Sequence, residues 1–249
     1  MALVSILQKH TDVPMYQQLQ ELIRGDILSG LWQPGQAIPS EQTLVQQFGI
    51  ARMTVRQAVD GLIREGLLRR ERGRGTFVAH KPVERELSRM RGFSEDMRAR
   101  GMAPSARLIA RQVVPAPPEV STHLHLGLRE AVIYIRRLRL ADALPMALET
   151  SYLDYTLFRP VLEADLESSS LYEYLQAALP LRLSHASQEL AAALPSAEDA
   201  QLLEQSRRAP TLMITQTTYV QVAGEEVPAI FGRTIYRADR YRFRLEVPR

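Results

Sequence analysis

Residues 48–78 read FGIARMTVRQAVDGLIREGLLRRERGRGTFV, and this stretch decides the fold of the N-terminal part of the chain. Two glycines bracket a segment in which apolar residues recur at i, i+3, i+4 and i+7 from Val55 to Leu62, the spacing of one helix face. Arginines and a Gly73-Arg74-Gly75 turn then lead into Thr76-Phe77-Val78, as expected for two short strands joined by a tight turn. The stretch therefore predicts a helix followed by a basic β-hairpin.

Two more helices are predicted upstream of this one. After Pro14, apolar residues repeat at helical spacing as far as Gly30, which ends the first helix. Ser40 has the residue type and position of an N-cap for a short second helix that ends at Gly49. Three helices followed by a basic hairpin are the plan of a winged helix-turn-helix.

The polar face of the third helix has the chemistry of a surface that reads DNA. Arg52 and Arg56 lie four residues apart and share one helix face, with Thr54 and Gln57 beside them. Arginine can donate a forked pair of hydrogen bonds to O6 and N7 of guanine. Any one arginine on a helix more commonly belongs to a solvated face. The set favours DNA binding because basic residues cluster on two elements that a winged helix brings together.

The predicted DNA contacts extend to two further elements. Free backbone N–H groups at the start of the second helix can bind a phosphate. Glycines in the hairpin turn let the backbone approach the sugar-phosphate or enter the minor groove. The predicted DNA-binding residues are Ser40, Glu41, Gln42, Arg52, Thr54, Arg56, Gln57, Arg72, Gly73 and Arg74.

Basic charge is concentrated in the N-terminal part of the chain. The whole sequence has 31 Lys and Arg residues against 28 Asp and Glu residues. Residues 49–78 contain seven arginines and three acidic residues, whereas residues 116–249 contain 14 basic and 17 acidic residues. This asymmetry predicts two functions on one chain. We expect a DNA-binding domain over 1–80, a linker over 81–91 and a ligand-binding and dimerisation domain over 92–249.

The second domain alternates strand-like and helical patterns. Its strand-like runs are joined by predicted hairpin turns at 141–145 and 222–226, and helical segments separate other runs. Ser94 is expected to cap a helix that opens near Gly92. Runs of strands joined by hairpins, with helices between them, predict an antiparallel sheet with helices packed on it. The predicted fold class of the chain is therefore α+β.

Residues suited to binding an anion are grouped in this second domain. Arg137 and Arg139 alternate on a predicted strand, so both side chains lie on one face, and Glu149 follows on the next strand. Two arginines and a carboxylate in a pocket suit a phosphorylated, hydroxylated small molecule. Predicted helix starts at Ser94 and Ser170 offer further donors. Without a ligand, the same residues could form a cross-strand salt bridge and two helix caps.

Composition and motifs exclude several classes of protein. The chain has no cysteine, so disulfides, thiolate metal sites and cysteine nucleophiles are ruled out. No metal-spaced cluster and no catalytic glycine motif stands out, and no apolar run reaches the length of a membrane span. We therefore expect a cytoplasmic protein that is not an enzyme, with no catalytic residues, no metal, no cofactor and no membrane contact.

Several segments of the N-terminal part carry a family resemblance. They are Pro14–Leu19, Ile38–Glu41, Phe48–Ala58, Leu62–Leu68 and Gly73–Val78. These segments resemble the DNA-binding domain of GntR-type bacterial regulators. The resemblance implies that Arg52 reads a guanine with support from Thr54 and Arg56, and that the turn at Gly73 enters the minor groove. Gln42 stands where family members often have arginine.

The second domain carries a resemblance of its own. Its segments are Gly92–Met97, Ile135–Asp142, Pro145–Glu149, Ser170–Tyr172 and Tyr236–Phe243. They resemble the UTRA effector domain of the HutC subfamily, which is similar in fold to chorismate lyase but acts as a sensor. The resemblance implies that a phosphate-like group meets Ser94, Arg137, Ser170 and Tyr172, and that Arg139 and Glu149 meet sugar-like parts. The predicted effector-binding residues are Phe93, Ser94, Glu95, Arg137, Arg139, Glu149, Ser170, Tyr172 and Tyr236.

Two positions depart from the similar sensors of amino-sugar phosphates. Ile230 stands where those sensors carry glutamate, and Ala238 replaces a glycine. The resemblance therefore leaves the identity of the effector open.

Together these features predict a ligand-responsive transcriptional regulator. The expected partners are a double-stranded DNA operator with an inverted repeat, a second copy of the chain, and a small anionic effector such as an amino-sugar phosphate, which releases the repressor from DNA. One alternative is a lyase-like or sugar-phosphate enzyme tethered to DNA by its N-terminal domain, with Glu149 as the acid/base. Another is a constitutive architectural DNA binder.

Overall fold

The computed structural model describes residues 7, 12–71, 73–80, 82–86, 91–127, 129–179 and 181–247. The chain divides into two compact units, and the division falls between Pro82 and Val83. No helix in the described part of the chain is long and apolar enough to cross a membrane.

The first unit consists of three helices and a hairpin, which confirms the predicted winged helix-turn-helix. Its elements are α1 (Met15–Leu28), α2 (Glu41–Phe48), α3 (Arg52–Arg64), β1 (Leu68–Glu71) and β2 (Gly75–Val78). Ser40 caps α2 as expected, because its hydroxyl accepts a hydrogen bond from the backbone N–H of Thr43 at 3.1 Å. Gly49 ends α2 in the left-handed conformation, with a φ of 61°.

The core of the first unit fixes which face of α3 is left for solvent. Val55 and Leu62 of α3 are fully buried together with Leu19 and Ile23 of α1 and with Leu44 of α2. Each such side chain contributes roughly 1.5–3 kcal/mol by leaving water. This burial orients α3, so that its polar face points outward.

The second unit is built on a six-stranded antiparallel sheet, as predicted. The six strands of this sheet are β4 (Pro104–Pro115), β5 (Ala131–Ala141), β6 (Leu144–Asp154), β7 (Arg182–Ala193), β8 (Thr211–Val222) and β9 (Glu225–Arg237). The same unit also contains two short strands outside this sheet, β3 (Val83–Glu86) and β10 (Tyr241–Arg244). The large sheet has the strand order β4-β5-β6-β9-β8-β7. Its helices are α4 (Phe93–Arg98), α5 (Pro118–Leu124), α6 (Tyr155–Phe158), α7 (Leu171–Ala178) and α8 (Ala197–Leu202), with a 3₁₀ turn at Arg159–Glu163.

Part of the segment predicted as a linker is a strand instead. Within 81–91, β3 pairs in parallel with β10, from Val83 opposite Tyr241 to Glu86 opposite Arg244. The two partners lie at opposite ends of the unit's sequence, and each strand has only four residues. A pattern that short cannot be distinguished from a linker by its sequence.

Apolar packing covers one end of the sheet and leaves a cleft at the other. Ile133 of β5 and Leu153 of β6 are fully buried with Phe158 of α6 and the side chains of Leu171 and Leu175 in α7. Farther along the same sheet, residues of β3, α4 and α7 line a cleft together with the strands. The cleft between these elements and the sheet contains most of the polar residues considered below.

Candidate functional site

The outward face of α3 carries the residues that were predicted to read DNA. The Arg52 side chain is 83% exposed and that of Arg56 is 57% exposed. Nε of Arg56 lies 3.7 Å from Oδ2 of Asp60, one turn away on the same helix. Gln57 is exposed and Thr54 is half-buried. The arrangement leaves the guanidinium of Arg52 available for a forked contact with a base.

Glu41, also predicted to contact DNA, lies close to Arg52 and to Arg70. Its Oε1 accepts a hydrogen bond from Nη2 of Arg70 at 2.8 Å, and its Oε2 lies 4.0 Å from Nε of Arg52. Arg70 also lies 3.1 Å from a carboxylate oxygen of Asp60 on α3. Through Arg70 and Arg52, Glu41 of α2 is thus linked to β1 and α3.

The hairpin turn forms as predicted, with an arginine at its tip. Gly73 and Gly75 have φ values of 76° and 120°, a conformation that favours glycine and permits the tight turn. Arg74 is 73% exposed; its Nη1 lies 2.6 Å from Oε2 of Glu71, and its guanidinium lies 5.5 Å from the centre of the Phe77 ring. Arg72, also predicted to contact DNA, lies outside the described residues.

The start of α2 supplies the remaining predicted DNA contacts. The Ser40 hydroxyl is engaged as the helix cap and lies 2.7 Å from the Thr43 hydroxyl. Gln42 is exposed on the first turn. The structure therefore places the predicted residues of α2 and α3 on neighbouring parts of one unit, linked through Glu41.

In the second unit, the cleft on the sheet face collects five of the nine predicted effector-binding residues. About 640 Å³ of space lies between its walls, including the part open to solvent. The predicted residues that line it are Phe93, Arg139, Glu149, Tyr172 and Tyr236. Arg139 lies over the Phe93 ring, with 4.8 Å between its guanidinium carbon and the ring centre.

The other four predicted residues lie behind or beside the cleft. Ser94 is buried, and its hydroxyl accepts a hydrogen bond from Nη2 of Arg139 at 2.7 Å. It does not cap α4, because Gly92 occupies the N-cap position. Ser170 caps α7, and Glu95 is exposed on α4. These serines therefore support the cleft from behind its surface.

Arg137 is the fourth of these residues, and it is held in an ion pair instead of facing the cleft. It is 2% exposed and pairs across strands with Glu149, with 2.9 Å between Nη2 and Oε2. Its Nη1 donates to the carbonyl of Leu166 at 3.2 Å. The cross-strand salt bridge left open by the sequence is thus present, and it occupies the arginine that was expected to meet the phosphate.

The cluster formed by Arg137, Arg139 and Glu149 has a net positive charge, because two arginines share one carboxylate. Nη1 of Arg139 lies 3.7 Å from the oxygen of Glu149 that also pairs with Arg137. Burial disfavours ionisation of Glu149, but Arg137 and Arg139 outweigh burial and hold the pKa of the carboxyl below its usual value. Burial lowers the pKa of Arg139 to about 10, and Arg137 adds to this effect while Glu149 opposes it. Arg139 therefore remains charged at neutral pH.

A third buried arginine, Arg85 on β3, lines the cleft and was not predicted. It is 8% exposed, and it donates hydrogen bonds of 2.7 Å to the Tyr236 hydroxyl and to the carbonyl of Arg91. No sequence signal marked it, because the strand that carries it was itself assigned to a linker. Its position requires the pairing of β3 with β10.

The far end of the cleft is neutral and rich in hydrogen-bonding groups. The amide nitrogen of Gln216 donates to the hydroxyls of Tyr172 and Thr218 at 2.7 and 2.8 Å, and its oxygen accepts from Gln188 at 2.5 Å. Ile230, which the resemblance singled out as a departure from similar sensors, lines this part of the cleft. This end therefore suits hydroxyl or amide groups of a ligand.

The cleft favours binding over proton transfer. Glu149 is held ionised, and burial raises the pKa of Tyr172 and of Tyr236 above the ordinary value of tyrosine. Among the described residues that line the cleft, none is a second acid or base that could exchange a proton with Glu149 near neutral pH.

A winged helix with exposed arginines, followed by a unit with a cationic cleft, defines a two-domain transcriptional regulator. Comparison with known proteins places it in a family. Residues 15–78 match the sequence profile described as bacterial regulatory proteins, gntR family, and residues 99–242 match that of the UTRA domain. The chain belongs to the GntR family of bacterial regulators and carries a UTRA domain, which confirms the predicted resemblance.

Relatives and solved structures agree with this placement. The chain is 38% identical over 239 residues to the HTH-type transcriptional repressor NagR of Bacillus subtilis (strain 168), covering 95% of this chain and 96% of that one. It is 28% identical over 232 residues to the mannosyl-D-glycerate transport/metabolism system repressor MngR of Escherichia coli (strain K12), covering 93% and 95%. The crystal structure of PhnF from Mycobacterium smegmatis matches with a TM-score of 0.65 at 27% identity, covering 94% and 98%. These relatives are regulators, which supports the prediction that this chain is not an enzyme.

Proposed function

We propose that this regulator is a repressor that leaves an inverted-repeat operator when a small phosphorylated or acidic metabolite binds in the cleft. The excess of buried positive charge carries this proposal. Arg85, Arg137 and Arg139 are each at most 8% exposed, and Glu149 lies within ion-pair distance of the last two. A buried charge is costly unless it is paired, so a ligand that brings negative charge into the cleft is favoured.

The two ends of the cleft suggest the class of the ligand. One end offers guanidinium groups, which bind phosphate or carboxylate oxygens, and the other offers the amides and hydroxyls around Gln216. A sugar phosphate or a sugar acid has both kinds of group. The name of one relative, a mannosyl-D-glycerate system repressor, is consistent with an effector of this chemistry.

On the DNA side, we propose that α3 enters the major groove and that the turn at Gly73 contacts the minor groove. Arg52 would read a base, while Arg56, Thr54 and Gln57 support it. A homodimer would present two copies of α3 to the two halves of the operator. The effector changes DNA affinity only if it binds the DNA-competent and DNA-incompetent arrangements of the dimer with different affinities.

The experiment uses the full chain and an operator selected from a random DNA library. Fluorescence anisotropy would measure operator affinity with glucosamine 6-phosphate, glucose 6-phosphate, a sugar carboxylate, and the corresponding uncharged sugars as controls. Release by a charged member of the panel, with the ligand recovered unchanged by mass spectrometry, is expected. An operator affinity that no charged member changes would contradict the proposal, and conversion of the ligand into a product would favour the enzyme.

A further inference from the structure

Arg85 differs in its partners from Arg137 and Arg139, the other two buried arginines at the cleft. Arg137 and Arg139 both lie within ion-pair distance of Glu149, at 2.9 and 3.7 Å. Arg85 donates instead to two neutral oxygens, the Tyr236 hydroxyl and the carbonyl of Arg91. Across the described ranges of the chain, no carboxylate oxygen lies within 4 Å of its guanidinium nitrogens. Arg85 therefore forms no direct ion pair in the described ranges, although, against the effect of burial, the negative charge of Asp96 favours its charged form and raises its pKa.

The geometry of Arg85 leaves it able to bind an anion. A guanidinium has five N–H groups, and the two described hydrogen bonds of Arg85 use two of them. The side chain lines the same cleft as Arg139, Glu149 and Tyr236. Its contact with Tyr236 fixes its direction, so part of the cost of ordering a long side chain is already met before a ligand arrives.

Arg85 also lies close in sequence to the end of the DNA-binding unit. It lies on β3, which begins at Val83, immediately after the residue that ends the DNA-binding unit. β3 is held by only four residue pairs with β10 and by a 2.7 Å hydrogen bond from the Val83 N–H to the carbonyl of Arg240. A strand with so few backbone contacts opens locally at low cost.

We propose that Arg85 binds the anionic group of the effector directly, and that occupancy of the cleft thereby stabilises β3, the strand through which the DNA-binding unit is attached. This inference rests on the proposed function and adds to it the residue that connects the ligand to the chain leaving that unit. The anion gives Arg85 a direct ion pair, which its two hydrogen bonds to neutral oxygens do not provide, so binding is strongest when β3 is in place. Ligand and strand thus stabilise each other.

The first experiment compares anion binding by the full chain and by three variants. The probe is inorganic phosphate, titrated against chloride at constant ionic strength, with binding measured by calorimetry and by the shift in melting temperature. Arg85→Gln removes the charge, and Arg85→Lys keeps it. Arg242→Gln is the matched control, because it removes one exposed positive charge from β10 opposite β3.

Wild type and R242Q should bind phosphate alike, whereas R85Q should bind at least about tenfold more weakly. R85K should recover part of this loss, which a purely structural role of the guanidinium would not allow. Melting temperatures without phosphate show whether each variant is folded. Equal phosphate binding by wild type and folded R85Q would overturn the inference while leaving the proposed function in place.

The second experiment tests the connection to β3. Hydrogen exchange measured by mass spectrometry, on peptides that cover Val83–Glu86, should slow when phosphate is added to wild type and to R242Q. In R85Q the same peptides should exchange at a rate that phosphate does not change. Slowing of equal size in R85Q would overturn the role of Arg85 in the connection. A wild-type protein that phosphate and the sugar phosphates neither stabilise nor release from DNA would overturn the proposed function, and this inference with it.

Discussion

The DNA-binding face and the effector cleft use the same side chain under opposite conditions. On α3, the Arg52 side chain is 83% exposed and its ion pair with Glu41 is long, at 4.0 Å, so its charge costs little in water and can bind a new partner. In the cleft, Arg137 and Arg139 are removed from water, and each depends on Glu149. Changes on the DNA-binding face should therefore alter DNA binding and leave stability nearly unchanged, whereas changes among the buried arginines at the cleft should alter both.

The largest effect is expected for Glu149→Gln. This change leaves Arg137 and Arg139 buried without a carboxylate, and breaking a buried ion pair from one side costs about 3–5 kcal/mol of unfolding free energy. Urea unfolding of the full chain, followed by circular dichroism, measures the loss.

A matched control for this variant is Glu119→Gln. Glu119 pairs with Arg233 at the surface, and such a pair contributes under about 1 kcal/mol. If E149Q and E119Q lost the same small amount of unfolding free energy, the expected difference between buried and exposed ion pairs would be contradicted.

A smaller effect is expected from acid. The pKa of Glu149 is lower in the folded protein than in the unfolded chain, because the arginines outweigh burial. Its contribution to stability is therefore fully present above the pKa of the unfolded chain and is lost as pH falls through the lower folded value. The stability difference between wild type and E149Q should be constant from about pH 6 to 8 and shrink below about pH 4.5. A difference that grew in acid would contradict this account of the cluster.

On the DNA-binding face, Arg52→Ala should weaken operator binding by about 1–3 kcal/mol, roughly 5- to 150-fold, because a forked base contact is lost. Its unfolding free energy should change by less than about 0.5 kcal/mol, since the side chain is exposed. Arg64→Ala removes an exposed arginine from the other end of α3 and serves as the control. Operator affinity equal in R52A and wild type would remove Arg52 from the interface.

The smallest effect is expected for Arg74→Ala in the hairpin turn. Loss of one phosphate contact should weaken operator and random DNA alike, by a few-fold, and reduce the slope of log affinity against log salt by about 1. Arg208→Ala, an exposed arginine of the second unit, is the control and should leave the slope unchanged. A salt slope for R74A equal to that of wild type would place the turn outside the DNA contact.

Sequence patterns predicted the elements whose periodicity is long or whose caps are specific. The face of α3, the cap at Ser40 and the alternation of Arg137 and Arg139 each follow from local spacing. The hairpin turn predicted at 141–145 also placed Glu149 near both arginines, as the pairing of β5 with β6 shows. These features depend on residues near each other in the chain.

Features that depend on distant residues were not predictable. β3 and Arg85 acquire their positions only through β10, near the other end of the chain. Ser94 was expected to cap a helix because serine commonly does so, yet its hydroxyl binds Arg139 of β5. Spacing placed Arg137 on the correct face of β5, but only the packing of Leu166 and Glu149 around it shows that it lies behind the cleft surface.

The cleft ligand and the operator should act on one equilibrium, that between the DNA-competent and DNA-incompetent arrangements of the dimer. Calorimetry can test this directly by measuring the affinity of the operator-releasing sugar phosphate for the free protein and for the protein saturated with operator. Linkage requires that operator weaken ligand binding by the same factor by which the ligand weakens operator binding. The account predicts equal factors above one; a ligand affinity that is identical on and off the operator would contradict it.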